Sequence, residues 1–174
     1  MIKQILKAIV IILGLYVLQT CLATVSFLPS VPDVVLVTVI TCGILLKPNL
    51  SLAVGFFCGL LFDVNYGGAV GLYAFIYFSA AFVMTRINSA FYREALMVPT
   101  LLFATSTIIK ETIIFVMTFL FRGRFEFMSF WQMIIVPKMI VNTLIGFFLY
   151  RSVLMFVKSY EKRQEEKEKE KKIV

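Results

Sequence analysis

The sequence predicts an all-α integral membrane protein, a bundle of six transmembrane helices. Of its 174 residues, 60% are hydrophobic and 16% are charged, and the mean hydropathy is +0.93. Seven of the seventeen bases and five of the ten acids follow residue 157, which leaves ten bases and five acids for the first 157 residues. So few charges cannot solvate a globule of that size. This composition excludes a soluble enzyme, and short loops exclude a separate extramembrane catalytic domain.

The chain contains no histidine, which excludes catalysis based on that residue, the commonest general base near neutral pH. Its three cysteines, Cys21, Cys42 and Cys58, lie inside apolar runs. Their spacing matches no zinc or iron–sulfur pattern and no disulfide framework. We interpret them as small residues that face lipid or other helices. We therefore expect no catalytic, metal or cofactor site.

The first predicted span covers residues 5–28, since no charge follows Lys7 until Asp33. A helix needs about 20 apolar residues to cross about 30 Å of hydrocarbon, and this run is long enough. A cleaved signal peptide is the alternative interpretation. It is disfavoured because the run is too long for the apolar part of a signal peptide and lacks a convincing small-residue cleavage site.

The second and third predicted spans, residues 34–46 and 50–62, are short. Each uncharged run extends only about 20 Å at 1.5 Å per residue, so flanking residues must help each helix to reach both membrane surfaces. Lys47, Pro48 and Asn49 between them form a turn signal in which Pro48 opens the third helix. The pair is predicted to form a tight helical hairpin.

The remaining predicted spans are residues 69–84, 95–121 and 130–150. With a cytoplasmic N-terminus, one membrane face carries most bases: Lys3, Lys7, Lys47, Arg86, Arg93, Arg151 and the C-terminal tail. The other face carries Arg122 and Arg124 together with the acids Asp33, Asp63 and Glu126. This distribution satisfies the positive-inside rule and predicts six crossings with both termini in the cytoplasm.

The predicted transmembrane domain covers residues 1–157, and residues 158–174 form a charged tail. Glutamates and lysines recur at helical i,i+4 spacing in the tail, so we expect it to extend the sixth helix into the cytoplasm. It is interpreted mainly as a solvated extension that fixes topology. The alternative is a docking site for a partner or for anionic lipid.

Gly55, Gly59 and Asp63 recur every four residues and therefore lie on one face of the third helix. The two glycines allow another backbone to approach closely, and we expect packing to be their main role. We also expect this stripe to be among the surfaces offered to a partner helix. The glycines that follow, Gly67, Gly68 and Gly71, are predicted to supply turn conformations and a close-packed start to the fourth helix.

Pro32-Asp33 and Asp63 flank the hairpin at one membrane level. They are predicted either to share a polar cluster or to cap one helix each. Asp33 directly precedes a helix and is a credible N-cap. Asp63 lies at a predicted helix C-terminus, where the helix dipole disfavours an anion. It therefore needs a partner such as a donor from the turn glycines, a cation or another subunit.

Ionisable groups near mid-membrane are costly and normally face protein or water. Glu111 and Lys138 lie about 15 Å and about 12 Å from the outer ends of their helices, so they are level enough to pair. We predict this ion pair, with Asn142 supporting it. Lys110 is expected to point about 100° away from Glu111, into another polar contact or towards a partner. A proton or substrate pathway is the less favoured alternative.

Three motifs in order carry a family resemblance. They are Leu28-Pro-Ser-Val-Pro-Asp33, then Gly55-x-x-x-Gly59-Leu-Leu-x-Asp63, then Gly67-Gly-x-x-Gly71-Leu-Tyr-Ala74. Together they resemble the bacterial rod shape-determining membrane protein MreD family. The motifs lie in about residues 27–80, and length and topology agree elsewhere. The positions that correspond to the family motifs are Pro32, Asp33, Gly55, Gly59, Asp63, Gly67, Gly68, Gly71, Leu72 and Tyr73.

The resemblance implies a fold similar to the S component of energy-coupling-factor transporters, in the bacterial inner membrane. It implies a non-enzymatic scaffold of the cell-elongation machinery that binds MreC and is linked through it to MreB and the peptidoglycan synthase pair. Membrane lipid is an expected contact, a homodimer is an open alternative, and no nucleic acid is expected. The rival interpretation is a vitamin-binding S component or small secondary transporter, with a pocket near Asp33, Asp63 and Glu126.

Overall fold

The described secondary structure is entirely helical. The computed structural model describes residues 2–24, 31–45, 48–66, 71–87, 96–118 and 127–173. Helix α1 is Ile2–Thr24, α2 is Val34–Leu45, α3 is Pro48–Tyr66, α4 is Leu72–Ile87 and α5 is Met97–Thr118. Helix α6, residues 127–173, joins an α-helical turn at Phe127–Phe130, a π-helical turn at Trp131–Ile135 and an α-helix at Val136–Ile173.

Three helical stretches are long and apolar enough to cross a membrane, namely Pro48–Asn65, Met97–Thr118 and Phe127–Ser159. Three shorter apolar stretches accompany them, at Ile12–Thr24, Val34–Leu45 and Leu72–Ile87. Exposed large apolar side chains occur on all the helices except α2. In a bilayer these side chains face hydrocarbon, so the sequence encodes an α-helical membrane protein.

Helix α2 lies at the centre of the bundle and packs against each of the other five helices. Eleven of its twelve residues are buried, as expected for a helix that is apolar on every side. Helix α2 is therefore the core of the bundle, whereas α3 exposes Phe56, Phe57 and Val64 at its surface.

Helices α3 and α4 make the largest helix–helix contact, and glycines of α3 permit it. A Cβ atom built on Gly55 would lie 2.7 Å from the Tyr77 carbonyl oxygen. One built on Gly59 would lie 2.7 Å from both the Ala74 nitrogen and the Tyr73 carbonyl oxygen. Real Cβ atoms do not approach so closely, so only glycine allows this packing.

The expectation that the glycine stripe is offered to a partner helix is therefore wrong. Gly55 and Gly59 are buried against α4 of the same chain. The sequence identifies the face of α3 that packs closely, but periodicity alone does not say which helix covers it. That face of α3 is therefore covered within the chain.

Helix α3 runs from Pro48 to Tyr66 rather than over the predicted residues 50–62, and α4 runs from Leu72 to Ile87 rather than over residues 69–84. The predicted span of α3 stopped at the first charge, Asp63, whereas the helix continues because that carboxylate has hydrogen-bond donors in α4. Helix α6 continues without a break into the charged tail. The predicted roles of Gly67, Gly68 and Glu126 lie outside the described residues.

The π-helical turn of α6 has a local cause. Pro137 has no N–H group and cannot donate to the carbonyl four residues earlier, so the regular α-helical ladder is interrupted there. Within the turn, the Val136 N–H donates to the Trp131 carbonyl. A π turn contains an extra residue and so changes the face on which the following residues lie. The next charged residue along the helix is Lys138.

Candidate functional site

Asp33 is the centre of a buried polar network at the start of α2. Its carboxylate caps the helix, since the Leu36 N–H donates to Asp33 Oδ1 at 2.9 Å. The Tyr77 hydroxyl donates to Asp33 Oδ2 at 3.0 Å, and the Lys110 ammonium forms an ion pair with the same oxygen. The aspartate is 2% exposed, so these donors stand in for the water that burial removes.

Two amides fix the backbone around Asp33. The side chain of Gln19 donates to the Pro32 carbonyl and accepts from the Val34 N–H, each at 2.8 Å. Asn142 Oδ1 accepts the Asp33 N–H at 2.7 Å, and its Nδ2 donates to Thr107 Oγ1 at 3.1 Å. These bonds join α1, α5 and α6 to the start of α2.

The support that Asn142 was expected to give to the Glu111–Lys138 pair is absent, because its amide bonds elsewhere. Helical spacing puts Asn142 one turn from Lys138, but the Asp33 backbone occupies its carbonyl oxygen. The unpaired first N–H groups of a helix need acceptors when they are buried. That need explains where the asparagine binds.

The structure brings Glu111 and Lys138 together, with Lys138 Nζ 2.9 Å from Glu111 Oε1. Lys110 Nζ also lies 3.3 Å from the same oxygen, so the expectation that Lys110 points away from Glu111 is wrong. Its contact with Asp33 agrees with the expected second polar contact. The flexible four-carbon stem of lysine lets one ammonium group reach carboxylates on both sides.

The resulting network contains two carboxylates, Asp33 and Glu111, and two ammonium groups, Lys110 and Lys138. Its formal charges cancel, and such mutual pairing is required for charges at membrane depth. Lys110 also lies 5.5 Å from the Tyr77 ring centroid and 5.9 Å from that of Tyr73, within the range of cation–π attraction. Every group in the network therefore has an electrostatic partner.

Asp63 caps a different helix. Its two carboxylate oxygens accept the Tyr73 N–H at 2.9 Å and the Ala74 N–H at 3.0 Å. The anion thus lies at the N-terminus of α4, where the dipole favours it, although it belongs to the last turns of α3. Gly71, just before these donors, has φ +96°, which favours glycine. Asp33 therefore caps α2 and Asp63 caps α4, and the donors that Asp63 was expected to require come from the backbone of α4.

A cavity of about 380 Å³ adjoins the network. Its polar wall contains Gln19, Asp33, Tyr73 and the three charged residues of α5 and α6. Its apolar wall comes from four helices and the segment before α2: Ala23, Val31, Phe62, Ile114, Phe130 and Ile134. Asp63 does not line it. The cavity combines aromatic and ionisable side chains that are far apart in the sequence.

Three residues of the network were not identified from the sequence: Gln19, Tyr77 and Thr107. Gln19 had a usable signal, since it is a large polar side chain within an apolar run. Tyr77 had none, because tyrosine is common in membrane helices for unrelated reasons. Thr107 resembles the many threonines whose hydroxyl groups bond to their own helix, as it does to the Phe103 carbonyl.

The site can hold helices together and can offer polar groups to a molecule in the cavity. Asp33 joins the start of α2 to α4 through Tyr77 and to α5 through Lys110, and Glu111 joins α5 to α6. Buried polar contacts of this kind specify which helix meets which. Within the described ranges, no three His, Cys, Asp or Glu side chains group as metal ligands.

The family model described as rod shape-determining protein MreD matches residues 1–160. No curated protein sequence and no solved structure matches the chain. The matched region contains all six helices apart from the distal part of the charged tail.

Proposed function

The chain belongs to the rod shape-determining protein MreD family, and from this premise we propose that it is a non-enzymatic scaffold subunit of the cell-elongation machinery. It binds an MreC-like single-pass membrane protein and is linked through it to MreB and to the peptidoglycan synthase pair. The family match over residues 1–160 is the observation that carries the proposal. The buried network supports it, because a scaffold needs a fixed helix arrangement.

We further propose that the chain lies in the bacterial inner membrane with six crossings and both termini in the cytoplasm. The excess of lysine and arginine on one side supports this orientation. The cavity lined by α1, α3, α4, α5 and α6 supports a resemblance to the S-component fold, in which a small molecule binds within a six-helix bundle. The charged tail then extends α6 into the cytoplasm.

The groove between α4 and α5 is the surface that we propose for the partner's transmembrane helix. Both helices pack on α2, which contributes Leu36 to the groove, and its volume is about 310 Å³. Large apolar side chains form most of its walls, and four small ones, Ser79, Ala80, Thr105 and Ser106, lie among them. Small residues allow close approach of two helices in lipid, where the hydrophobic effect does not drive association.

Co-purification tests this assignment. An affinity-tagged chain is extracted in mild detergent, and recovery of the MreC-like partner is measured. Thr105→Trp fills the groove with a large side chain and is expected to reduce recovery. Ser152→Trp, at an exposed position of α6, is the matched control and is expected to leave recovery unchanged.

Equal recovery with both variants would remove the groove from the interface. Failure of the unmodified chain to recover any MreC-like partner would contradict the scaffold role itself. The two failures are distinguishable because the second requires no substitution.

The alternative function is a substrate-binding component of a vitamin transporter or a small secondary transporter. The mixed polar and aromatic cavity favours this alternative, since small-molecule sites combine apolar walls with a few placed polar groups. Recovery of a transporter ATPase or a bound vitamin with the purified chain would support it. Recovery of the MreC-like protein without either would favour the scaffold.

A further inference from the structure

The cavity beside the ion-pair network has unused hydrogen-bonding capacity. The Lys138 ammonium has three N–H donors, and Glu111 Oε1 is its ion-pair partner among the described residues. Tyr73 also lines the cavity, and its phenol group can donate one hydrogen bond. Both groups can donate to an acidic group of a bound molecule.

The cavity also has an available acceptor. The contacts of Glu111 within the described ranges involve Oε1, which faces both lysines, and leave Oε2 for another donor. Asp33 has no such capacity, since its two oxygens already accept from Leu36, Tyr77 and Lys110. Donors and an acceptor therefore coexist on one wall.

The formal charge of the network restricts the ligand. Two acids and two bases sum to zero, and a further unbalanced charge in a membrane interior is costly. A molecule with one positive and one negative group adds no net charge. It can also use the acceptor and the donors together.

The cavity lies between α1 on one side and α5 and α6 on the other. Helix α1 packs on α2 and α3, while α5 and α6 pack on each other and on α2. Residues of α1, α5 and α6 nevertheless line the same cavity, so it lies where α1 is opposite the other two helices. Its apolar wall suits the hydrocarbon that adjoins a lipid head group.

We propose that this cavity binds a small zwitterion carrying an acidic group and a primary ammonium group, such as the head group of an aminophospholipid. The acidic group accepts from Lys138 and Tyr73, and the ammonium group donates to Glu111. The proposal rests on the cavity alone and holds whether the chain is a scaffold or a transporter component.

Native mass spectrometry of the purified full chain in detergent tests the proposal. The probes are phosphatidylethanolamine, phosphatidylcholine and phosphatidylglycerol with identical acyl chains. Phosphatidylcholine is the matched control, because its quaternary ammonium has no N–H to donate to Glu111. We expect phosphatidylethanolamine to bind about tenfold more tightly than either other lipid, the effect of one charge-assisted hydrogen bond.

Tyr73→Phe should weaken phosphatidylethanolamine binding several-fold while preserving the ring packing. Tyr16→Phe is the control, since it removes a hydroxyl group from a residue outside the cavity lining. Equal effects of the two substitutions would overturn the assignment. So would equal binding of phosphatidylethanolamine and phosphatidylcholine, or stronger binding of phosphatidylglycerol.

sn-Glycero-3-phosphoethanolamine, in which the charges of the phosphodiester and the ammonium group cancel, distinguishes the two sources of the ligand. Displacement of phosphatidylethanolamine by this free head group indicates a soluble zwitterion site, whereas retention of the lipid indicates that the whole lipid is recognised. Both outcomes support the proposed chemistry. Absence of binding by both probes to the unmodified chain contradicts it.

Discussion

Lys110 stabilises two carboxylates that come from different parts of the chain. Its ammonium group pairs with Asp33 and lies 3.3 Å from Glu111 Oε1, and the residue is 4% exposed. Removal of one member of a buried ion pair is severe because the remaining charge is left without a partner. The neighbouring Lys138 is more exposed, so its loss can be offset by solvent or lipid head groups.

Lys110→Met is therefore expected to lower the free energy of unfolding by about 3–5 kcal/mol. Combining Lys110→Met with Asp33→Asn should recover part of this loss, because Asp33→Asn removes the carboxylate charge that Lys110→Met leaves unpaired. Lys138→Met is the comparison and should be less destabilising. Denaturant-induced unfolding in detergent measures all four proteins. A Lys110→Met loss no larger than that of Lys138→Met would contradict the central role of Lys110.

The sequence predicted that Glu111 and Lys138 lie at similar depths in the membrane. In the structure, Lys138 Nζ lies 2.9 Å from Glu111 Oε1. The sequence did not predict Lys110 bonding to Asp33 or Asn142 bonding to the Asp33 backbone. Helical spacing specifies depth and angle within one helix. It does not specify how the segment before α2 is positioned against α5 and α6.

The packing of α3 on α4 depends on the absence of a side chain at two positions of α3. Gly59 contacts the α4 backbone itself, which cannot shift as a flexible side chain would. Helix α1 contains the natural comparison, Gly14, because a Cβ atom there would have no neighbour within 4 Å. The same substitution therefore has opposite consequences in the two helices.

Gly59→Ala is expected to destabilise the protein by about 1–3 kcal/mol through overpacking against α4. Gly14→Ala should leave stability unchanged or raise it by up to about 1 kcal/mol, since alanine favours helix more than glycine. Thermal unfolding in detergent provides the comparison. Similar midpoints for the two variants would mean that α3 and α4 are further apart than described.

The loop charges and the length of α3 determine how the whole molecule is expected to lie in the membrane. Asn49 and Asn65 are exposed and occupy opposite ends of Pro48–Tyr66. Asn49 lies two residues after Lys47 in the sequence, one of the bases that the positive-inside rule assigns to the cytoplasm. The two asparagines are therefore expected on different sides.

Single cysteines at these positions test the orientation in a chain whose Cys21, Cys42 and Cys58 have been replaced by alanine. Asn65→Cys is expected to react with a membrane-impermeant maleimide in intact spheroplasts. Asn49→Cys should react only after lysis. Modification of both from the outside, or reversal of the pattern, would contradict the proposed orientation. Gel mobility after labelling with a maleimide of high mass gives the measurement.

The sequence alone determined that this protein is helical and membrane-embedded, and where charge is expensive. These properties depend on local composition, because the bilayer sets the length and polarity of each segment. The tertiary structure decided that α2 is central, that the glycine face of α3 meets α4, and that Lys110 joins Asp33 to Glu111. It also created the cavity. Those features depend on which helices are neighbours, and in lipid that choice follows from shape and polar pairing across distant segments.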